Sequence, residues 1–473
     1  MQTRLSGSAL LVAITTALPL FAQTPATEPE PAPPPEPSSP VAPEAVESPA
    51  SPAVPSEPSP VPAPEPAAAP TVPPPVAESV EPAPLPSIEP PEAKEAPAPK
   101  KWKRFTIASE DGAHKLDVRG LVHVDARFFP NGDHRNTFLV RRARPSIDAT
   151  VYKYFEFRIL PDFAGSRASL LDAYVNFHVI DAVQLRVGKG KVPVGLERLQ
   201  PISDPTFIEL AFPTALVPNR DVGVQLHGSL LDGAIDWALG LYNGVPNGQS
   251  GETDANDSKD YVGRVFAHPF RPLGVDALKD FGIGFAANFG DQAGPLPQYR
   301  TAGQNTFFQY ASTASAAGER TILSPQAYYY VGPIGVLGEY VHVSERVTDG
   351  TQTETVRHQA FQVMGSVAIG GKPSFKSVSP DEPFDPEEGG FGALELAGRY
   401  TEIRFDSDTF ESGLADSSSA ARRASAWAIG ANWYFAPKVR LQLNYERTTF
   451  RDGDAEGNRP AESLLVSRVQ VAF

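Results

Sequence analysis

The chain contains no cysteine, which excludes disulfides, thiolate metal sites and cysteine nucleophiles. Long apolar runs are missing as well. Beyond the first 22 residues no stretch approaches the ~20 residues that a spanning helix needs, so any passage through a bilayer must be made of strands. The eight histidines are scattered singly, outside any recognisable nucleophile motif. Gly188 to Gly190 and Gly282-Ile283-Gly284 lack the spacing and following helix of a phosphate loop and read as turn and strand glycines. These absences argue against an enzyme, a cofactor, a bound metal and a nucleic-acid partner.

What is present divides near residue 100. Met1 to Ala22 has one basic residue, Arg4, then an apolar stretch from Ala9 to Leu20, the pattern of a secretory signal peptide. An inner-membrane anchor is the alternative, since Leu20 stands where a small residue would precede the cut. Residues 24–100 hold 28 of the chain's 50 prolines, with 12 Glu against Lys94 and Lys100. Proline removes backbone donors and forbids helix before it, and the apolar content cannot offset ordering, so residues 23–100 are expected to be a disordered, extended periplasmic arm. The arm carries −10 of the chain's −15, so the overall acidity says little about residues 101–473. It is expected to act as a tether, with peptidoglycan as a candidate contact.

From Leu116 onward the pattern has period two. Leu116, Val118, Gly120, Val122, Val124, Ala126 and Phe128 share one face, and Asp117, Arg119, His123, Asp125 and Arg127 the other. The alternation recurs from Leu171 to Val179, where Asp172, Asn176 and His178 face the other way, and from Val183 to Val187. It returns from Ile235 to Leu241, Phe361 to Ile369, Trp427 to Phe435 and Val439 to Tyr445. Helical periodicity is nowhere sustained.

Short links near Ile180-Asp181-Ala182, Leu231-Asp232-Gly233, Gly332-Pro333 and Phe435-Ala436-Pro437 alternate with longer polar ones. The longer links are 130–136, 188–220, 243–259, 290–320, 344–355, 406–423 and 451–461. Short turns on one rim and long loops on the other are the signature of an outer-membrane barrel. The count is 16 strands, with Gly370 to Gly390 an unusually long, acidic link on the short-turn rim, and Thr306 to Tyr310 a candidate strand inside a loop. Residues 101–473 are therefore expected to form an all-β, 16-stranded antiparallel transmembrane barrel. Phe473 ends the last alternating strand, the feature that barrel-assembly machinery recognises. Phe128, Phe129, Tyr152, Tyr242, Tyr261, Tyr434 and Phe450 are candidates for interfacial girdles. The acidic segments 254–260 and 452–458 lack the ligand set of a calcium hand and read as solvated loop tips or as loose divalent bridges to lipopolysaccharide.

Several motifs follow one another in a familiar order: Phe138-Leu139-Val140-Arg141-Arg142-Ala143-Arg144, then Val187-Gly188-Lys189 leading to Gly195-Leu196-Glu197-Arg198, then Trp237-Ala238-Leu239-Gly240-Leu241-Tyr242-Asn243-Gly244. Gly389 to Leu396 and Gly430-Ala431-Asn432-Trp433-Tyr434 continue the series. In this order they resemble the phosphate-selective porin O and P family along most of residues 105–473. The resemblance implies a homotrimeric barrel in a Gram-negative outer membrane, whose third long loop folds into the pore. Gly188 to Arg220 occupies that place and contains Lys189, Lys191, Arg198 and Arg220 against Glu197, Asp204, Glu209 and Asp221.

By the same resemblance Arg141 and Arg142 match the arginine pair that holds the anion, and Asp172 an acidic residue facing the loop. Guanidinium groups suit the task, offering fixed donor forks to tetrahedral oxyanions. This chain departs from the family pattern at Ser203, where a loop lysine would stand, and at Leu121, where a first-strand arginine would stand. Arg119, Arg144 or Arg198 are the substitutes. Strand parity raises a further point, because neighbours on a regular strand face opposite ways, and a lipid-facing Arg141 would cost roughly 2–4 kcal/mol at mid-bilayer. A bulge, a rim position or a subunit contact resolves it. The reading is passive diffusion of small hydrophilic solutes with anion preference. The alternative is a structural anchor that tethers the envelope to peptidoglycan through the arm.

Overall fold

The computed structural model describes residues 105–473 apart from Asp133 and Ser166; the expected signal peptide and arm lie outside the described residues. Sixteen long antiparallel strands close into a barrel. In chain order they are β1 (Lys115–Phe128), β2 (Thr137–Val151), β3 (Phe155–Asp162), β4 (Ser169–Ile180), β5 (Val183–Lys191), β6 (Arg220–Leu230), β7 (Ile235–Tyr242) and β8 (Asp260–Ala267). The second half comprises β9 (Phe281–Pro295), β10 (Ser315–Val331), β11 (Ile334–Thr348), β12 (Thr353–Ile369), β13 (Ala393–Arg404), β14 (Ala421–Ala436), β15 (Val439–Asp454) and β16 (Glu462–Ala472). Each strand pairs with its sequence neighbours. β1 closes the ring on β16, with Leu121 opposite Ala472 and Phe128 opposite Leu465, so every spanning strand has a partner on both edges, as hydrocarbon requires.

The period-two reading explains which face is which. Val122, Val124, Val175, Val187, Leu239 and Ile429 are each more than 40% exposed, whereas the chain neighbours His123, Asp125, Asn176 and Ala428 are buried in the interior. Apolar surface of this extent is stable only against lipid. Below β1, Phe105–Ala108 pairs with Lys115–Val118 where β16 ends. There the Phe473 ring packs edge-on against Phe105 and sits where a side chain on Gly120 would be, 2.5 Å from an ideal Cβ.

Loop lengths follow the expected asymmetry, with one addition. The residues between Asp162 and Ser169 form a second external loop that the alternation alone does not reveal. The third loop is shorter than expected, because β5 continues to Lys191. Gly188 and Lys189 are therefore strand residues, and the loop proper is 192–219. Gly188 has φ +124°, and a Cβ there would meet the Ala173 carbonyl at 2.4 Å, which is why glycine occupies a strand position.

Inside the barrel the external loops build a core that periodicity could not forecast. Phe212, Leu216 and Val217 of the third loop meet Tyr299, Phe307 and Phe308 of the fifth and Phe405 and Leu414 of the seventh, all buried. They pack on Val341, Val343, Val347, Val356 and Ile403, which point inward from β11, β12 and β13. Phe308 and Phe405 stack at 3.7 Å. Thr306–Phe308 is a strand within the fifth loop, as expected, pairing with Tyr299–Arg300. On the opposite rim, Gly371–Ser374 and Ser377–Pro380 form a ribbon. Phe375 at its tip stacks on Tyr328 at 4.8 Å, and its carbonyl accepts a bond from Gln200 of the third loop. Of the expected girdle residues, Tyr152 and Tyr261 are exposed, but Phe129, Tyr242, Tyr434 and Phe450 are buried. Tyr242 donates to Gln225 and Tyr434 to Glu395, so these rings belong to the interior.

Candidate permeation pathway

The third loop is held against the wall made by β11 to β16. Its Glu197 carboxylate accepts from Ala211 N at 2.8 Å and from Gln362, and lies 3.7 Å from Arg399. Its carbonyls take donors from the wall: Pro205 from Arg440 at 2.9 Å, Ile208 from Arg468 at 2.8 Å, Glu209 from Arg399 at 2.9 Å and Ser203 from Gln470 at 3.0 Å. Asp204 pairs with Lys438 of the turn between β14 and β15. The three from arginine are charge-assisted, the stronger kind, and together these bonds fix a loop of 192–219 that has no sheet of its own.

Glu209 is the electrostatic centre of the loop. It pairs with Arg127 at 3.0 Å and Arg141 at 3.0 Å and lies 3.7 Å from Arg468. Burial opposes its charge, but Arg141, Arg142 and Arg468 prevail and hold the carboxyl down to about 2. Arg141 reaches this site because the β1–β2 register slips there: His123 faces Arg142 while Val124 faces Val140, which leaves Arg141 as the extra residue of a bulge. The bulge turns both arginines of the pair into the lumen, so the lipid-facing cost does not arise.

Two cavities flank the loop. The one toward the short-turn rim, about 510 Å³, is lined by Arg119, Arg144, Arg158 and Arg186 from the strands, Lys191 and Arg220 beside the third loop, and Lys438. Against these seven cations stand Asp117, Asp172 and the chain-terminal residue Phe473. The other cavity, toward the long loops and about 290 Å³, is lined by Arg141, Arg142, Arg198, Arg300 and Arg399, with Glu209 and Glu446 as its acids. Burial pulls Arg198 down to about 10, which leaves it charged at neutral pH. Both chambers are thus net positive.

Most of these cations are partly neutralised. Arg144 pairs with Asp162 at 2.7 Å, Arg220 with Asp172 at 2.7 Å, and Arg119 with Asp148 at 3.3 Å. Arg142 differs: its Nη1 donates to His123 Nδ1 at 3.2 Å, and His123 Nε2 in turn donates to Gln470 at 2.9 Å, with no carboxylate in the chain of bonds. Arg186 lies over the Tyr174 ring at 4.5 Å. Lys191 donates to the Arg198 and Gln200 carbonyls.

The structure therefore gathers Arg119, Arg144, Arg220, Lys191 and Asp172 in one chamber and Arg141, Arg142 and Arg198 in the other. It excludes Lys189, which lines neither chamber and is held by the Leu170 carbonyl and Glu252. Glu197 and Asp204 fix the loop rather than line the path, while Ser203 does line it, beside Lys438. Leu121 lies opposite Arg144, which supplies a guanidinium beside the position that lacks one. Asp260, read as part of a loop tip, is instead buried in the lumen and paired with Arg320 at 2.6 Å. Sequence reasoning missed Arg158, Arg186, Arg300, Arg399 and Lys438. The first two had only their places on strands to mark them, and the others become neighbours only when the ring closes.

The family model described as phosphate-selective porin O and P matches residues 116–473. Porin O of Pseudomonas aeruginosa is 22% identical over 409 residues, covering 78% of this chain and 90% of that protein. Among solved structures, the outer-membrane channel DcaP of Acinetobacter baumannii superposes with a TM-score of 0.51 at 11% identity, over 78% of this chain and 99% of that one. OmpT of Vibrio cholerae, an outer-membrane protein, gives 0.50 at 12% identity, over 78% and 100%. These likenesses extend over the barrel and show its fold. The chain belongs to the phosphate-selective porin O and P family: it is a channel rather than an enzyme, and it resides in the outer membrane of a Gram-negative bacterium.

Proposed function

We propose that the channel passes small hydrophilic solutes by passive diffusion and prefers anions, oxyanions such as phosphate among them. The observation that carries this reading is the charge of the two chambers, where twelve cationic side chains face four carboxylate side chains. Selectivity of this kind needs only a polar lumen with one sign of charge in surplus. Arg142 lines the chamber toward the long loops with its guanidinium bonded to a histidine rather than a carboxylate, so we assign it to the path of the anion. The homotrimer implied by the family belongs to the same proposal and is checked by cross-linking in detergent.

The test is the reversal potential of the purified protein in a planar bilayer under a KCl gradient, followed by titration of inorganic phosphate into the chloride solution. Anion preference with partial block of chloride current by phosphate is the expected result. Cation preference would overturn the reading; anion preference without phosphate block would limit it to general anion diffusion.

A further inference from the structure

Above the membrane the wall reverses its polarity. Along β11, Val341, Val343 and Val347 turn into the loop core, while His342, Ser344 and Arg346 face outward. On the outer face the change comes just beyond an aromatic belt of Tyr340, Phe361, Tyr400 and Trp427, where Tyr340 faces Phe361 and Tyr400 faces Trp427. Beyond the polar rank of Glu402, Ser425 and Thr449, Arg404 lies directly opposite Arg423, and Arg423 directly opposite Arg451, on three adjacent strands. Directly opposed residues share a face, here the one carrying Tyr400, Trp427 and Tyr445 by parity, so three guanidinium groups stand side by side on the outside of the barrel.

Like charges in directly opposed positions destabilise a sheet. The protein supplies little to relieve them. Arg404 pairs with Glu402, whose carboxylate also accepts from Tyr400 and Ser425, and the nearby Asp452 is engaged by Arg422 at 3.3 Å. Among the described residues no ion pair is formed by Arg423 or Arg451.

The height of the row indicates its counterpart. Trp433 belongs to the aromatic cluster at the opposite rim, with Phe384, Phe391 and Phe435. From it to Arg423 is ten residues along β14, about 33 Å of strand and about 25 Å of vertical rise at a tilt of ~40°. That rise equals the typical apolar band, so the row stands at the headgroups of the outer leaflet rather than among its chains.

We propose that Arg404, Arg423 and Arg451 form a binding site on the outer wall for the phosphate groups of an outer-leaflet saccharolipid, lipopolysaccharide in chemical class. Guanidinium groups match phosphate geometry and hold their charge in an interface, and adjacent strands ~4.8 Å apart spread three of them over about 10 Å, enough to engage more than one oxyanion. This site faces away from the lumen and is independent of solute selectivity.

The test uses the full-length protein, delipidated in non-ionic detergent, with native mass spectrometry reading the adducts. The probes are bisphosphorylated lipid A, dephosphorylated lipid A and inorganic phosphate. The wild type is expected to bind bisphosphorylated lipid A and to bind the dephosphorylated form at least tenfold more weakly. Each arginine is expected to contribute about fivefold, so R404Q/R423Q/R451Q falls by roughly a hundredfold and R423Q alone by about fivefold. Heat-modifiable migration and conductance, unchanged in R423Q, certify the fold. Triple-variant affinity within threefold of wild type, equal binding of the two lipids, or displacement of lipid A by submillimolar inorganic phosphate would each overturn the proposal. So would loss of self-association in place of lipid binding, which would make the row an interface between copies.

Discussion

Replacing Arg142 with glutamine removes one lumen charge while disturbing little else. The guanidinium donates to His123 and forms no direct carboxylate pair, so the change leaves Glu209 its pairs with Arg127 and Arg141 and costs about 1 kcal/mol of stability for one hydrogen bond. Arg144→Gln, by contrast, would strip Asp162 of its partner at 2.7 Å. An anion passing ~10 Å from Arg142 gains about 0.4 kcal/mol at the dielectric of water, and a cation loses as much. The anion-to-cation permeability ratio should therefore fall by about fourfold in the variant, and by more where the lumen is drier. The assay is the reversal potential at about 0.01 M salt, where the Debye length of ~30 Å leaves the interaction largely unscreened. Repeating it at 1 M, where that length is ~3 Å, should erase the difference. An unchanged ratio at low salt would refute the reasoning and clear Arg142 of a role in selectivity.

Three other outcomes are expected. The Glu209 carboxyl is held at about 2 against an ordinary 4.5, so its contribution to loop anchoring is complete above pH 4.5 and is lost as pH falls toward 2; single-channel noise should rise across that window, and Glu209→Gln should show it at pH 7. Phe405→Ala, which unstacks Phe308, should cost about 3–5 kcal/mol in urea unfolding of the refolded barrel and raise unit conductance as the loop core loosens. Gly120→Val should lower the heat-modifiable fraction after refolding, because its side chain would occupy the position of the Phe473 ring.

The wall of this protein was legible because lipid outside and water inside impose opposite demands on successive residues. Val122 and His123, or Val187 and Arg186, could be assigned to faces from period two alone. Arg141 could not, since a bulge breaks parity and leaves no mark in a single sequence. The loop core escaped for a related reason: Phe308, Phe405 and Leu414 lie in segments without periodicity, and their burial depends on loops more than 90 residues apart folding into one space. The path was half legible. Arg142, Arg144 and Arg119 stood out on early strands, whereas Lys438 and Arg399 reach it only after the chain has gone round the ring.

The Asp125–Arg468 fork joins residues 343 apart, across the seam where the first strand meets the last. Until residue 473 has been made, β1 carries a bare edge of amides that neither water-free lipid nor any earlier strand can satisfy. Contacts of such sequence separation form late and slowly, so the polypeptide must be kept from aggregating until its end arrives. Shortened products should accordingly be cleared as unassembled chains, never surviving as smaller leaky pores.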